Sequence, residues 1–206
     1  MNNCGGDKFI LGVTGGVGSG KSRVLDILEQ EYGFHVIQAD QVAKKLMEPG
    51  MESYEAVVGC LGPSILAGDG FIDRPAMAAL IFGDPEKRRQ VDRLTHPLVW
   101  SASFREAISC REPYVVIEAA VPSKEFRDNC REMWYVYTSE ENRLRRLLEN
   151  RGYTGQKSRS IMGSQVSEEE FRAFSDAVID NNGSLDETRA QIRRLLDGKC
   201  RDGRQI

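Results

Sequence analysis

The sequence predicts an α/β fold, a parallel sheet covered by helices on both faces. Three observations predict it. Short apolar runs alternate with helix-length amphipathic segments, as strands joined by crossover helices do. The first run ends in a glycine-rich loop that opens straight into a helix, an arrangement that presents backbone N–H groups to an anion. The second and third runs close on acids, Asp40 and Glu118, at the strand ends that line the ligand crevice of such sheets.

Phe9 to Val13 is the first strand, short, apolar and stopped by glycines. Lys21 to Tyr32 follows as a helix with Val24, Leu25, Leu28 and Tyr32 on one face, and Gly33 stops it. His35 to Ala39 is the second strand. From Gln41 to Ile108 the pattern is mostly helical, punctuated by Pro49-Gly50 and Gly68-Asp69-Gly70. So long an excursion between strands predicts an inserted helical lobe. Tyr114 to Ile117 and Met133 to Tyr137 are the third and fourth strands. Glu140 to Asn150 is an arginine-rich helix, broken at Gly152 to Gly155, with a polar helical stretch running on to Gln165. Ser167 with Glu170 and Ser184 with Glu187 are spaced as capping boxes on either side of a fifth strand, Ala177 to Asp180. The last helix carries Ile192, Leu195 and Leu196, and the polar residues after Asp197 are expected to fray.

The 206 residues suffice for one domain with a sizeable core and a small inserted lobe. Hydrophobic residues make up 40% and charged residues 29%, with a net charge of −3. That balance argues against a nucleic-acid or membrane surface, both of which favour a basic excess. The five cysteines, Cys4, Cys60, Cys110, Cys130 and Cys200, are odd in number and form no C-x-x-C pair. They read as reduced thiols rather than a disulfide framework or zinc site. His35 and His96 are too few and too far apart in sequence to complete a metal cluster. The run Phe9 to Val13 is too short for a signal or a membrane span, so a cytoplasmic protein is expected.

The loop Gly15-Gly16-Val17-Gly18-Ser19-Gly20-Lys21-Ser22 fits G-x-x-x-x-G-K-[ST], the P-loop. Its glycines let the backbone curl with N–H groups inward, and the helix starting at Lys21 adds the positive end of its dipole. Lys21 supplies a cation for β- and γ-phosphates, Ser22 a hydroxyl for Mg²⁺, and the Arg23 amide a donor for the α-phosphate. The loop alone leaves open kinases, GTPase switches and motor ATPases.

Other residues carry two readings each. Asp40 takes a proton from an attacking hydroxyl or holds Mg²⁺ through water; otherwise it N-caps the helix beginning at Gln41. Glu118 is an outer Mg²⁺ contact through water, or a solvated strand-end charge. Arg143, Arg145, Arg146 and Arg151 form a solvated helix face or, with the Gly152 hinge, a lid that closes over ATP. His96 is structural or catalytic, and Pro97 after it would fix the start of a helix.

Taken in order, these motifs resemble the dephospho-coenzyme A kinase family from about Phe9 to Leu196. The resemblance rests on Leu11 to Ser22 with its doubled glycine, Val36 to Asp40, Gly70 to Arg74, Leu80 to Phe82, His96-Pro97, Arg146 with Arg151, and Ala177 to Gly183. This chain departs from the family pattern in places. Gln38 stands where a first Asp is usual, which leaves Asp40 to carry the carboxylate role. Glu118 to Lys124 replaces a D-x-P-L-L-x-E segment. Arg146 and Arg151 lie one residue further apart than usual, and Arg23 replaces a Thr.

The resemblance implies a P-loop kinase fold with a five-stranded parallel core. It implies a CoA-binding lobe over about 41–108 and a lid within about 140–166. It implies transfer of the ATP γ-phosphate to the ribose 3′-hydroxyl of 3′-dephospho-CoA, the final step of coenzyme A biosynthesis. Asp40 is then the base, and Lys21 and Arg146 stabilise the phosphoryl charge. Residues 15–23 and Arg151 bind ATP, and Mg²⁺ bridges the phosphates to Ser22. A monomer or small homo-oligomer is expected. The alternatives are another small-molecule or nucleotide kinase of this fold and a GTPase-like switch; the sequence has no N-K-x-D guanine reader.

Overall fold

A computed structural model describes residues 8–199; Cys4, Cys200 and the tail beyond lie outside them. In chain order the elements are β1 (Phe9–Thr14), α1 (Lys21–Tyr32), β2 (His35–Gln38), α2 (Ala39–Leu46), α3 (Glu52–Leu61), a 3₁₀ turn (Pro63–Ile65), α4 (Arg74–Phe82) and α5 (Pro85–Ser109). Then follow β3 (Tyr114–Ala119), α6 (Lys124–Asp128), β4 (Glu132–Tyr137), α7 (Glu140–Arg151), α8 (Gly155–Gly163), α9 (Glu168–Ala173), β5 (Ala177–Asp180) and α10 (Leu185–Leu196).

The five strands form one sheet in the order β2-β3-β1-β4-β5. β1 pairs in parallel with β3 and β4, and β4 pairs in parallel with β5. The predicted α/β fold with a five-stranded parallel core is therefore the observed one. β1 is central because its residues are apolar on both faces: Leu11 and Val13 are fully buried. They pack with Val116, Trp134, Val136 and Ile179 of the sheet, with Val24, Leu25, Ile27 and Leu28 of α1, and with Ile192 and Leu196 of α10.

The chain divides into two compact units. Among the described residues, 8–36 with 111–199 make the first, which holds most of the sheet. Ile37–Cys110 makes the second. There, Val57, Ile65 and Val91 form a small core against Met47, Leu61, Leu80 and their neighbours. Asp73 caps α4 by accepting from the Ala76 amide, and Asp84 caps α5 by accepting from Glu86 and Lys87.

Four local expectations change. β2 ends at Gln38, and Gln38 is the N-cap residue of α2. Asp40 therefore lies in the first helical turn, where its charge favours the dipole, and the N-cap reading fails. Pro97 starts no helix. It lies inside α5, whose buried face of Val91, Thr95, Val99 and Trp100 runs on both sides of it and outweighs one lost backbone bond. β3 extends past Ile117 because Glu118 and Ala119 pair opposite Val13 and Thr14. α6 was not expected. Ser123 caps it by accepting from the Phe126 amide, and the Phe126 ring is fully buried.

Two outcomes follow from this packing. Leu28→Ala, at a fully buried site, should cost about 2–5 kcal/mol in chemical denaturation. Burial, with a smaller push from Asp176 against a pull from Arg127, raises the Cys130 thiol to about 12 from its ordinary 9.0. The unfolded chain ionises first as pH rises, so Cys130 adds stability below pH 9 that is lost between 9 and 12. Iodoacetamide labelling with peptide mapping at mildly alkaline pH should modify the exposed Cys60 and spare Cys130 until denaturant is added.

Candidate active site

The loop Gly15 to Ser22 joins β1 to α1. With β3 on one side of β1 and β4 on the other, the loop leaves the carboxyl edge of the sheet where the strand order reverses, the usual ligand crevice of an open α/β sheet. Gly20 begins α1 at φ 89°, ψ 27° with no side-chain cap, a backbone that favours glycine. The N–H groups of Gly18, Gly20 and Ser22 donate to no protein acceptor among the described residues. That is the donor set of an anion nest at a helix N-terminus. The Ser19 and Arg23 amides belong elsewhere, donating to Gly16 at 3.2 Å and Gly20 at 3.0 Å. In this structure the Arg23 amide closes the first turn of α1.

Lys21 Nζ donates to the Gly15 carbonyl at 2.8 Å and lies 3.5 Å from Glu118 Oε1. Glu118 is only 8% exposed, so the solvated-charge reading of this residue fails: it is a buried carboxylate paired with the loop lysine. Glu118 lies near the end of β3, opposite Val13 of β1, and Lys21 opens the helix that follows β1.

The loop is gripped from behind at one atom. The Ser19 carbonyl accepts from Asn181 Nδ2 at 2.8 Å, Thr138 Oγ1 at 2.9 Å and Arg146 NH1 at 3.3 Å. Arg146 NH2 also donates to the Asn181 carbonyl at 2.7 Å, and Thr188 Oγ1 to Asn181 Oδ1 at 3.0 Å. Asn181 is 1% exposed, so each of these partners satisfies a group that has left water. Burial, then the nearby charges of Arg23 and Arg145, pull Arg146 below its ordinary value. Thr138, Asn181 and Gln165 were not singled out as site residues from the sequence, and Arg143 was named only within the arginine cluster. The run Asp180-Asn181-Asn182-Gly183 after the last strand was the available signal for Asn181.

The remaining candidates are placed differently. Arg151 ends α7 exposed, with no hydrogen bond or ion pair among the described residues. Gly152, at φ 63°, turns the chain there. Ser22 is exposed, and its hydroxyl has no partner among the described residues. Asp40 belongs to the second unit, exposed in the first turn of α2 and unpaired among the described residues. His96 is exposed on α5, 3.8 Å from Asp92. No group of three or more His, Cys, Asp or Glu gathers among the described residues. What the loop offers a metal is separate hard oxygens, those of Ser22 and Glu118. They suit Mg²⁺ carried in on phosphates better than a metal needing an all-protein cage.

The comparisons agree with this geometry. A model of the family described as dephospho-CoA kinase matches residues 9–187. The dephospho-CoA kinase of Carboxydothermus hydrogenoformans is 36% identical over 191 residues, 91% of this chain and 92% of that protein. Among solved structures, TT1252 from Thermus thermophilus superposes with a TM-score of 0.79 at 27% identity, over 93% of this chain and 98% of that one. The dephospho-CoA kinase from Campylobacter jejuni shares the fold at a TM-score of 0.67 and 21% identity, over 92% of this chain and 98% of that one. No helix among the described residues is long and apolar enough to cross a membrane. With a family match over most of the sheet, loop and clamp just described, this chain belongs to the dephospho-CoA kinase family.

Proposed function

We infer that the chain transfers the γ-phosphoryl group of ATP to the ribose 3′-hydroxyl of 3′-dephospho-CoA, releasing ADP and coenzyme A. The observation that carries the nucleotide half is the cradle. Three backbone N–H groups have no protein acceptor among the described residues, and Lys21 follows them at the start of α1. The acceptor half follows from the family.

The residues divide the work as follows. The amides of Gly18, Gly20 and Ser22 hold the phosphate oxygens. Lys21 exchanges its contact with the Gly15 carbonyl for the β- and γ-phosphates, while Glu118 keeps the ammonium oriented. Arg146 adds positive charge beside the loop: its Nε–H and one NH2 hydrogen remain unused by protein acceptors among the described residues. These charges are fixed in place before the phosphoryl group moves, which is what electrostatic stabilisation of a loose transition state needs. Asp40 accepts the proton of the attacking hydroxyl, a role supported by its carboxylate being exposed and unpaired among the described residues. Ser22 and, through water, Glu118 would hold Mg²⁺. That ion, when bound with ATP, neutralises phosphate charge and aligns the β- and γ-groups. Helices α7 and α8 with Arg151 form the lid, and Ile37–Cys110 holds the CoA portion.

The direct test offers ATP with dephospho-CoA, AMP, CMP or shikimate and follows ADP release. Turnover should appear with dephospho-CoA. Equal rates across all four acceptors would refute the acceptor assignment while leaving the nucleotide site intact. Asp40→Asn should lower kcat by roughly 10² or more with the KM for ATP little changed. A loss of only a few-fold in steady-state assays would remove Asp40 from proton transfer.

A further inference from the structure

The crown of the phosphate loop is held by two side chains from distant parts of the sequence. Arg143 Nε donates to the Val17 carbonyl at 2.8 Å. Gln165 Oε1 accepts from the Val17 N–H at 2.9 Å and from Arg143 NH2, also at 2.9 Å. The three residues close a ring around Val17 that engages both its N–H and its carbonyl. Neither flanking peptide of Val17 can flip without breaking one of these bonds. The Nε and NH2 edge of a guanidinium is a rigid fork, suited to two acceptors side by side.

The surroundings are built for this contact. A Cβ at residue 16 would lie 2.5 Å from Arg143 NH2 and 2.7 Å from Cζ, so Gly16 lets the guanidinium lie against the backbone. Arg143 is partly buried, and that desolvation is the main cause pulling it below its ordinary value. Gln165 sits between α8 and α9. The second of these helices is fixed by Phe171, 2% exposed, whose ring stacks on Tyr135 at 5.0 Å and 5° between planes. Arg143 comes from α7. The two holders thus reach Val17 from separately anchored helical segments.

We propose that Arg143 and Gln165 are positioning residues for nucleotide binding, which hold Gly16-Val17-Gly18 in the phosphate-accepting shape. The assignment rests on the reading that this loop takes the phosphates of ATP. Val17 gives its N–H to Gln165, so the clamp acts through backbone shape and not through phosphate contact. A loop this rich in glycine loses much conformational freedom when it orders. Ordering it in advance lowers the cost of binding. The clamp therefore acts on ATP affinity more than on the chemical step.

Equilibrium titration of the full chain with ATP, paired with steady-state kinetics, tests this. Arg143→Ala and Gln165→Leu should each weaken the Kd for ATP about tenfold, the loss expected of a charge-assisted hydrogen bond. At saturating ATP, kcat should stay within roughly threefold of the parent. Because the two act as one unit, the double variant should bind only about as weakly as the weaker single variant. Arg143→Lys keeps the charge but not the fork, and should fall near Arg143→Ala. If Arg143→Ala does not fold, Gln165→Leu, which changes a single side chain between helices, carries the test. Folded variants that bind ATP as tightly as the parent overturn the clamp and leave the phosphotransferase reading standing. So does a loss confined to kcat, or losses that multiply in the double variant. A parent that binds no ATP overturns both.

Discussion

The rear of the phosphate loop is organised around one carbonyl oxygen. Ser19 O receives three hydrogen bonds, from Thr138, Arg146 and Asn181. These come from the end of β4, from α7 and from the end of β5. A glycine-rich loop has little internal reason to keep one shape, since each glycine widens the set of conformations it leaves. Three donors on one oxygen select among those conformations. They also fix Gly20 directly behind: a side chain there would run into the Asn181 amide, with Arg146 close by. The loop's fine shape is thus dictated from outside the loop.

The same arrangement explains why half-buried arginines sit next to a site for anions. Arg143 and Arg146 are both pulled down by desolvation. Each is compensated by carbonyl and amide oxygens rather than by a carboxylate. A carboxylate partner would cancel the positive charge, whereas dipoles satisfy the guanidinium hydrogens and leave the charge in place. Glu118 is the acid that does approach the loop, 3.5 Å from Lys21 Nζ. The chain is acidic as a whole, yet the ground around the loop keeps its positive charge.

Much of this was legible in the sequence. Strand–helix alternation gave the sheet, and apolar spacing gave the buried faces of α1 and α10. The P-loop residues announced their chemistry because backbone geometry and helix polarity leave few alternatives. What stayed hidden were partners joined only by folding. Asn181 and Thr138 look like ordinary polar residues after a strand, and Gln165 like the end of a polar helix. Their meaning is set by which strands flank β1, and that order is a tertiary fact. Pro97 was misread locally because a breaking tendency is worth little beside a helix face that is already buried, and the N-cap alternative for Asp40 lapsed because α2 begins at Ala39. Glu118 was ambiguous because a strand-end acid reads the same whether solvent or a lysine faces it.

The spacing of the clamp along the chain has a consequence for biosynthesis of the protein itself. The donors that shape the loop follow 119, 127 and 162 positions after Ser19. Such separations are slow to close. A chain emerging from the ribosome holds its phosphate loop long before it holds the oxygen's three partners. The loop cannot take its full set of outside contacts until β5 pairs with β4 and brings Asn181 to the Ser19 carbonyl. The last strand acts as the checkpoint for the first loop.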